Sequence, residues 1–241
     1  GPSGLRLGGF LLSAGRRAET PAGMTRWTSV DDLIAARPDL VVECATHEAV
    51  RETAPALLAA GIDVVIVSIG ALADPATVAR LEAAARAGGG RAVAVPGAIG
   101  GLDALRAARL AGLDSVAYVG RKPPAAWRGT PAEAVLDLAA LAEATVFYEG
   151  AAAEAARAYP KNANVVASVA LAGVGFERTR VRLIADPAAK GNVHEIEAAG
   201  AFGRFRIALE NRPLPANPRT SWLAALSVEQ AVLRRFSPLE V

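Results

Sequence analysis

The run Asp63-Val64-Val65-Ile66-Val67 decides the fold class. Its valines and isoleucine follow one another without polar alternation, so a strand formed here must be covered on both faces. That is the pattern of a parallel sheet with helices on either side. On its N-terminal side, Leu40–Glu43 reads as a strand and His47–Ala60 as an alanine-rich helix, with Gly61 placed as its C-terminal stop. On its C-terminal side come a helix over Pro75–Ala87 and a strand over Arg91–Val95. Further upstream, Leu5–Leu12 reads as a strand and Val30–Ala36 as a helix closed by Arg37-Pro38. Repeated βα units of this length predict an α/β domain with a doubly wound parallel sheet.

Ligands of such sheets sit at the carboxyl ends of the strands. Those ends read Glu43-Cys44-Ala45-Thr46-His47, Ser68-Ile69-Gly70-Ala71 and Pro96-Gly97-Ala98-Ile99-Gly100-Gly101. All three are small, hydroxylated or glycine-bearing, which lets a flat ligand approach the backbone. Each alone is an ordinary turn; three at one sheet edge point to a nucleotide crevice.

The second half has a different character. Ser115–Val119 reads as a strand, Gly120-Arg121-Lys122-Pro123-Pro124 as a loop, and Pro131–Leu141 as a helix. Strands follow at Val146–Glu149 and Val181–Ala185, with a long small-residue helix over Asn162–Val174 between them. Val193–Ala198 and Arg204–Leu209 alternate, as strands of an antiparallel or mixed sheet with one open face do. Ser221–Phe236 is an amphipathic helix. The predicted division is 1–104 with the C-terminal helix 213–241, and a second α+β domain over 105–212.

Composition narrows the function. The 241 residues are 52% hydrophobic and 21% charged, which is globular composition. Lys+Arg 26 against Asp+Glu 24 leaves a charge of +2, too small a surplus for a nucleic-acid-coating protein. No stretch reaches the ~18 apolar residues of a membrane helix. A single cysteine, Cys44, excludes an internal disulfide framework and fits a reducing cytoplasm. With one cysteine and only two histidines, His47 and His194, a zinc site lacks ligands. Neither a Gly-x-Ser-x-Gly elbow nor a Gly-x4-Gly-Lys-Ser/Thr loop is present.

Rarity marks candidates. Only Lys122, Lys161 and Lys190 among the 26 basic residues are lysines, so a lysine here can mark a need for a compact ammonium; the plainer reading is three solvated side chains. His194, in Asn192-Val193-His194-Glu195-Ile196-Glu197, is a candidate acid–base group or a structural hydrogen-bonder.

Several runs together resemble the L-aspartate dehydrogenase family. They are Glu43-Cys44-Ala45-Thr46-His47-Glu48-Ala49-Val50, Ser68-Ile69-Gly70-Ala71-Leu72-Ala73-Asp74, Gly97-Ala98-Ile99-Gly100-Gly101-Leu102-Asp103, Tyr159-Pro160-Lys161-Asn162-Ala163-Asn164-Val165, Ala185-Asp186-Pro187 with His194-Glu195-Ile196, and Asn217-Pro218-Arg219-Thr220-Ser221. They span roughly residues 38–230 in the family's order. The resemblance implies a Rossmann domain, a second substrate-binding and dimerising domain, a homodimer, and NAD or NADP as cofactor. It implies oxidation of L-aspartate through iminoaspartate to oxaloacetate and ammonia, or the reverse, feeding NAD biosynthesis. Carried over, the catalytic histidine falls on His194, and the dinucleotide contacts on Ala98, through its backbone amide, and Asn164. Lys161, Asn162 and Thr220 are candidate donors to the substrate carboxylates.

The chain departs from the family at its start. The family opens with a strand and a Gly-x-Gly-x-x-Gly turn, whereas Gly1-Pro2-Ser3-Gly4 and Gly8-Gly9 lack that spacing. Leu5–Leu12 resembles the family's second strand, and the expectation is an N-terminal truncation by one βα unit. That strand would end at Ser13-Ala14-Gly15-Arg16-Arg17, where two guanidiniums suit a 2′-phosphate and predict that NADP serves at least as well as NAD. Two alternatives stay open: a related oxidoreductase of the homoserine dehydrogenase or dihydrodipicolinate reductase type, and a non-catalytic remnant acting as a binding protein.

Overall fold

A computed structural model describes residues 4–12 and 19–239. The Ser13–Arg17 run, with the Arg16/Arg17 expectation, lies outside the described residues. The chain divides into two compact units, Gly1–Ala94 with Ala231–Val241, and Val95–Gln230.

In the first unit, short strands β1 (Gly9–Leu11) and β2 (Thr25–Trp27) pair in parallel and lead to helix α1 (Val30–Ala35). Then β3 (Leu40–Glu43), α2 (His47–Ala59), β4 (Asp63–Ile66), α3 (Pro75–Gly88) and β5 (Ala92–Ala94) alternate. The sheet β3-β4-β5 is wholly parallel, with Leu40 opposite Asp63 and Val64 opposite Ala92. The Val64–Ile66 run is fully buried, and Val50, Leu57, Leu58 and Leu81 of the flanking helices share its core. Both helix starts are capped: the Thr46 hydroxyl accepts from Ala49 N (3.1 Å), and the Asp74 carboxylate accepts from Ala76 N (3.1 Å) just before Pro75.

Two side chains tie the sheet ends. The buried Glu43 carboxylate accepts from Ala45 N (2.8 Å), Ser68 N (3.0 Å) and Ser68 Oγ (2.9 Å), joining the turns after β3 and β4. At the opposite end, Asp63 accepts from Arg91 N (2.8 Å) and from Arg235 Nε near the C-terminus. The long Leu5–Leu12 strand contracts to Gly9–Leu11 and β2 has no counterpart in the sequence-based expectation; the other strands and α-helices predicted for this unit keep their places to within about two residues.

The second unit begins with α4 (Leu102–Leu110), which the sequence reading missed. Gly101 precedes it at φ +74°, and a Cβ there would lie 2.2 Å from Ile207 Cδ1. Only glycine serves both that backbone and that approach. Strands β6 (Leu113–Lys122) and β7 (Thr145–Ala151) follow, then helices α5 (Ala152–Ala158) and α6 (Ala163–Ala172). Next come β8 (Arg180–Ala185), β9 (Asn192–Gly200), β10 (Gly203–Asn211), the hairpin β11 (Pro213–Leu214) and β12 (Asn217–Ser221), and α7 (Trp222–Phe236). The five-stranded sheet has the order β10-β9-β6-β8-β7; β6 is parallel to β8 and antiparallel to β9, giving the expected mixed sheet.

Two predictions are corrected here. Gly120-Arg121-Lys122 is not loop but the end of β6, with Lys122 opposite Ala185 and Gly120 opposite His194. Ladders on both sides override the local turn signal, and Pro123 then ends the strand. Residues 131–141 do not form a helix. Only Pro131–Ala134 makes a tight turn, and the Asp137 side chain then accepts from Ala139 N (3.1 Å) and Ala140 N (3.3 Å), drawing those amides out of a helical ladder.

Candidate active site

Alternation along β6 puts Tyr118, Gly120 and Lys122 on one face, and the register sets His194 of β9 directly opposite Gly120. This is the inner face, where Val181, Leu183 and Ile196 are also buried. His194 is only 3% exposed. Its Nδ1 lies 2.8 Å from the Tyr118 hydroxyl, the two rings nearly parallel with centroids 5.9 Å apart. Gly120 makes that bond possible, because a Cβ there would stand 2.7 Å from Tyr118 Oη and 3.1 Å from its Cζ.

Burial, and after it the positive charge of Lys122, push the imidazole of His194 down to about 3. The ring is therefore neutral at pH 7. Burial also raises the Tyr118 phenol above its ordinary value, so it remains a hydroxyl. A hydroxyl can donate to Nδ1 or accept from it, so the bond holds the ring in either neutral tautomer. With Nδ1 engaged, Nε2 is the nitrogen left for chemistry.

Lys122 is 8% exposed, its ammonium 4.9 Å from the centroid of the Trp127 ring. It donates to Asn162 Oδ1. The turn after β8 secures this strand end: Asp186 N donates to Lys122 O (2.9 Å), and Arg121 donates to the Asp186 carboxylate at 2.8 Å. Arg121, and next the Ala188 amide, hold the Asp186 carboxyl below its usual range. Asn162 is 2% exposed and stands at the start of α6 without capping it, and its Nδ2 has no hydrogen-bond partner. Lys122, Trp127, Thr130, Arg157, Tyr159 and Asn162 line a cavity of about 330 Å³. A more open hollow of about 570 Å³ along residues 128–139 holds none of the His194 group.

The family description "Aspartate dehydrogenase, C-terminal" matches residues 103–235, and "Homoserine dehydrogenase, NAD binding domain" matches residues 9–95. An L-aspartate dehydrogenase of Pseudomonas aeruginosa is 57% identical over 196 residues, 81% of this chain and 73% of the relative. One of Ruegeria pomeroyi is 51% identical over 236 residues, 97% of this chain and 86% of the relative. The chain belongs to the L-aspartate dehydrogenase family. The crystal structure of aspartate dehydrogenase from Thermotoga maritima superposes with a TM-score of 0.75 at 28% identity, covering 95% of this chain and 88% of that one. The first unit is thus a Rossmann-type NAD-binding domain, and NAD or NADP is the cofactor of the family fold.

Within this family chain, the residues singled out from the sequence separate into four places. His194 and Asn162 gather around the end of β6. Lys161 stands in the turn Pro160–Asn162, its side chain outside the described residues. Asn164, exposed, is the second residue of α6. Ala98 lies in the turn before α4, where its carbonyl accepts from Asn211 Nδ2 (2.9 Å). Thr220 of β12 accepts from Asn217 (3.2 Å) and is not among the cavity walls. The Ala98 N–H and the Asn164 side-chain amide, on separate elements, are both uncharged hydrogen-bonding groups. That chemistry fits a carboxamide or ribose hydroxyls of a dinucleotide better than its pyrophosphate. Sequence reasoning missed Tyr118, Lys122 as a buried group, and Asn211. Tyr118 becomes visible only once the β6–β9 register is known. Among the described residues no three His, Cys, Asp or Glu side chains group as metal ligands, and no helix is long and apolar enough to cross a membrane.

Proposed function

We propose that this chain is an NAD(P)-dependent L-aspartate dehydrogenase. The observation that carries the reading is the buried His194–Tyr118 pair beside the Lys122–Asn162 corner, in a chain of this family. Bound NAD or NADP supplies the hydride acceptor. His194 is the acid–base residue, neutral at pH 7 and acting through Nε2. In the oxidative direction it takes a proton from the water that attacks iminoaspartate and returns it to the departing ammonia. In the reverse direction it does the opposite, with Tyr118 following the tautomer. Ala98, through its amide, and Asn164 hold the dinucleotide; Lys161 and Asn162 serve the substrate carboxylates.

We also read the protein as a cytoplasmic homodimer. Trp222, Leu226, Leu233 and Phe236 recur along one stripe of α7 and are each nearly half exposed, which suits a second copy. Sedimentation equilibrium tests this, and a monomer throughout the micromolar range contradicts it.

The activity test is a substrate panel followed through the absorbance of the reduced nicotinamide. L-Aspartate is expected to be oxidised with NAD or NADP in preference to L-alanine, L-glutamate and L-homoserine. Preference for homoserine, or no turnover of aspartate while the dinucleotide binds, overturns the assignment.

A further inference from the structure

We propose that Glu43 is a positioning residue for the dinucleotide. Its buried carboxylate fastens the exposed turn after β3 to the buried turn after β4, making a fixed ledge for an uncharged or cationic part of the cofactor rather than for its phosphates. This rests on the NAD(P)-dependent reading above, and four observations support it.

The first is the residue itself. Leu40-Val41-Val42 lead into Glu43, where a fourth apolar residue would continue the run. Instead an acidic side chain stands there, only 7% exposed. Burying a carboxylate is costly unless hydrogen bonds replace its water.

The second is where those bonds go. Oε1 accepts from Ala45 N (2.8 Å) and Ser68 Oγ (2.9 Å), and Oε2 from Ser68 N (3.0 Å). The Glu43 carbonyl also accepts from Val67 N (3.0 Å). Through backbone and side chain, one residue joins two turns 25 positions apart.

The third is what the clamp holds. Cys44, Ala45 and Thr46 are exposed in succession, at the carboxyl edge where ligands of such sheets lie. Ser68, Ile69, Gly70 and Ala71, to which they are tied, are buried. The far end of the exposed run is fixed as well, since the Thr46 hydroxyl accepts from Ala49 N (3.1 Å). A short run held at both ends meets a ligand without first being ordered, which spares the affinity that ordering costs.

The fourth is charge. A pyrophosphate is seated on free backbone amides. Here the amides of Ala45 and Ser68 are both engaged by an anion, and that anion repels another. The ledge therefore suits ribose hydroxyls or the nicotinamide, whose oxidised ring is cationic.

The test reads the single thiol of the chain, Cys44, which is exposed on the ledge. NAD or NADP, at about ten times its Kd, is expected to slow alkylation of Cys44 by iodoacetamide about tenfold, while inorganic pyrophosphate leaves the rate unchanged. In calorimetric titration of the full chain, Glu43→Ala, which releases two amides, is expected to weaken dinucleotide binding about tenfold or more. Glu43→Gln, which keeps one acceptor oxygen, should weaken it less. The KM for the dinucleotide should rise in both while the KM for L-aspartate holds, a split that a merely structural glutamate does not produce. Should Glu43→Ala fail to fold, Glu43→Gln decides, and wild-type dinucleotide affinity in that folded variant overturns the proposal. So does alkylation at an unchanged rate with dinucleotide bound, protection by pyrophosphate, or a wild-type chain that binds no dinucleotide. Aspartate oxidation is scored separately. Dinucleotide binding that protects Cys44 and depends on Glu43, without aspartate turnover, removes the dehydrogenase reading and keeps the ledge; aspartate turnover by a chain whose Cys44 stays unprotected does the reverse.

Discussion

The Tyr118 hydroxyl and His194 Nδ1, 76 positions apart in the chain, meet at 2.8 Å across β6 and β9. Tyr118 leans along its own strand over Gly120 to reach the ring, so three residues of one sheet face form a unit. Tyr118→Phe leaves Nδ1 without its partner. Turnover is expected to fall about 10- to 100-fold, in line with loss of a buried bond worth ~1–3 kcal/mol. The pH profile of kcat should move as well, since the hydroxyl steadies both tautomers. Gly120→Ala is expected to reproduce the loss by displacing the phenol. A Tyr118→Phe enzyme with unaltered kcat and pH profile makes the tyrosine a packing residue.

The depressed imidazole also enters stability. His194 titrates at about 3 when folded against 6.5 ordinarily, so below about pH 6.5 the unfolded chain takes up a proton that the folded chain refuses. Its contribution is complete above pH 6.5 and drains away as pH falls toward 3. Asp186, held low chiefly by Arg121, loses its own contribution only below its ordinary value of 3.8. The window from pH 6.5 to about 4.5 therefore isolates the histidine. Melting temperature should fall across that window in the wild type and fall less in His194→Gln; parallel curves contradict the buried neutral state.

Asn211 holds the Ala98 carbonyl, and Ala98 is the proposed amide contact to the dinucleotide. Asn211→Ala is expected to weaken dinucleotide binding about five- to tenfold, the effect of one buried hydrogen bond, with little change in the KM for L-aspartate. Tryptophan fluorescence on titration with NAD and NADP measures it. Equal affinity in variant and wild type would free the turn from any part in cofactor binding.

Much of this arrangement was legible beforehand. The apolar run at Asp63–Val67 and its flanking helices yield the parallel sheet because local pattern and tertiary burial agree there. His194 and Asn162 stood out through rarity and family motif. Lys122 did not stand out as buried, because Gly120 and Pro123 signal a turn and only pairing with β9 through Arg121 and with β8 through Lys122 extends β6 to residue 122. Tyr118 was hidden for the same reason: register between strands so far apart is set by packing, not by neighbouring residues. The segment 131–141 misled through its alanines and leucines, since one side chain, Asp137, outbid the helical ladder for two amides.

The C-terminal end of α7 is fastened through Asp63, which accepts both Arg235 Nε and Arg91 N. The two partners differ in exposure: Arg235 is about half exposed (45%) and the aspartate buried (9%). Arg235→Ala is expected to cost below about 1 kcal/mol, while Asp63→Ala, which orphans a backbone amide in the sheet, costs about 1–3 kcal/mol. Urea unfolding of both variants checks the order, and a larger loss for Arg235→Ala reverses it.

The central claim is that His194 transfers the proton in oxidation of L-aspartate. Turnover of L-aspartate by the wild type and by His194→Ala, each at saturating dinucleotide, tests it most directly. A fall of ~10²–10⁴-fold in kcat, with the KM for dinucleotide and the melting temperature at pH 8 nearly unchanged, is the result this account predicts. A His194→Ala enzyme that retains wild-type turnover would contradict it.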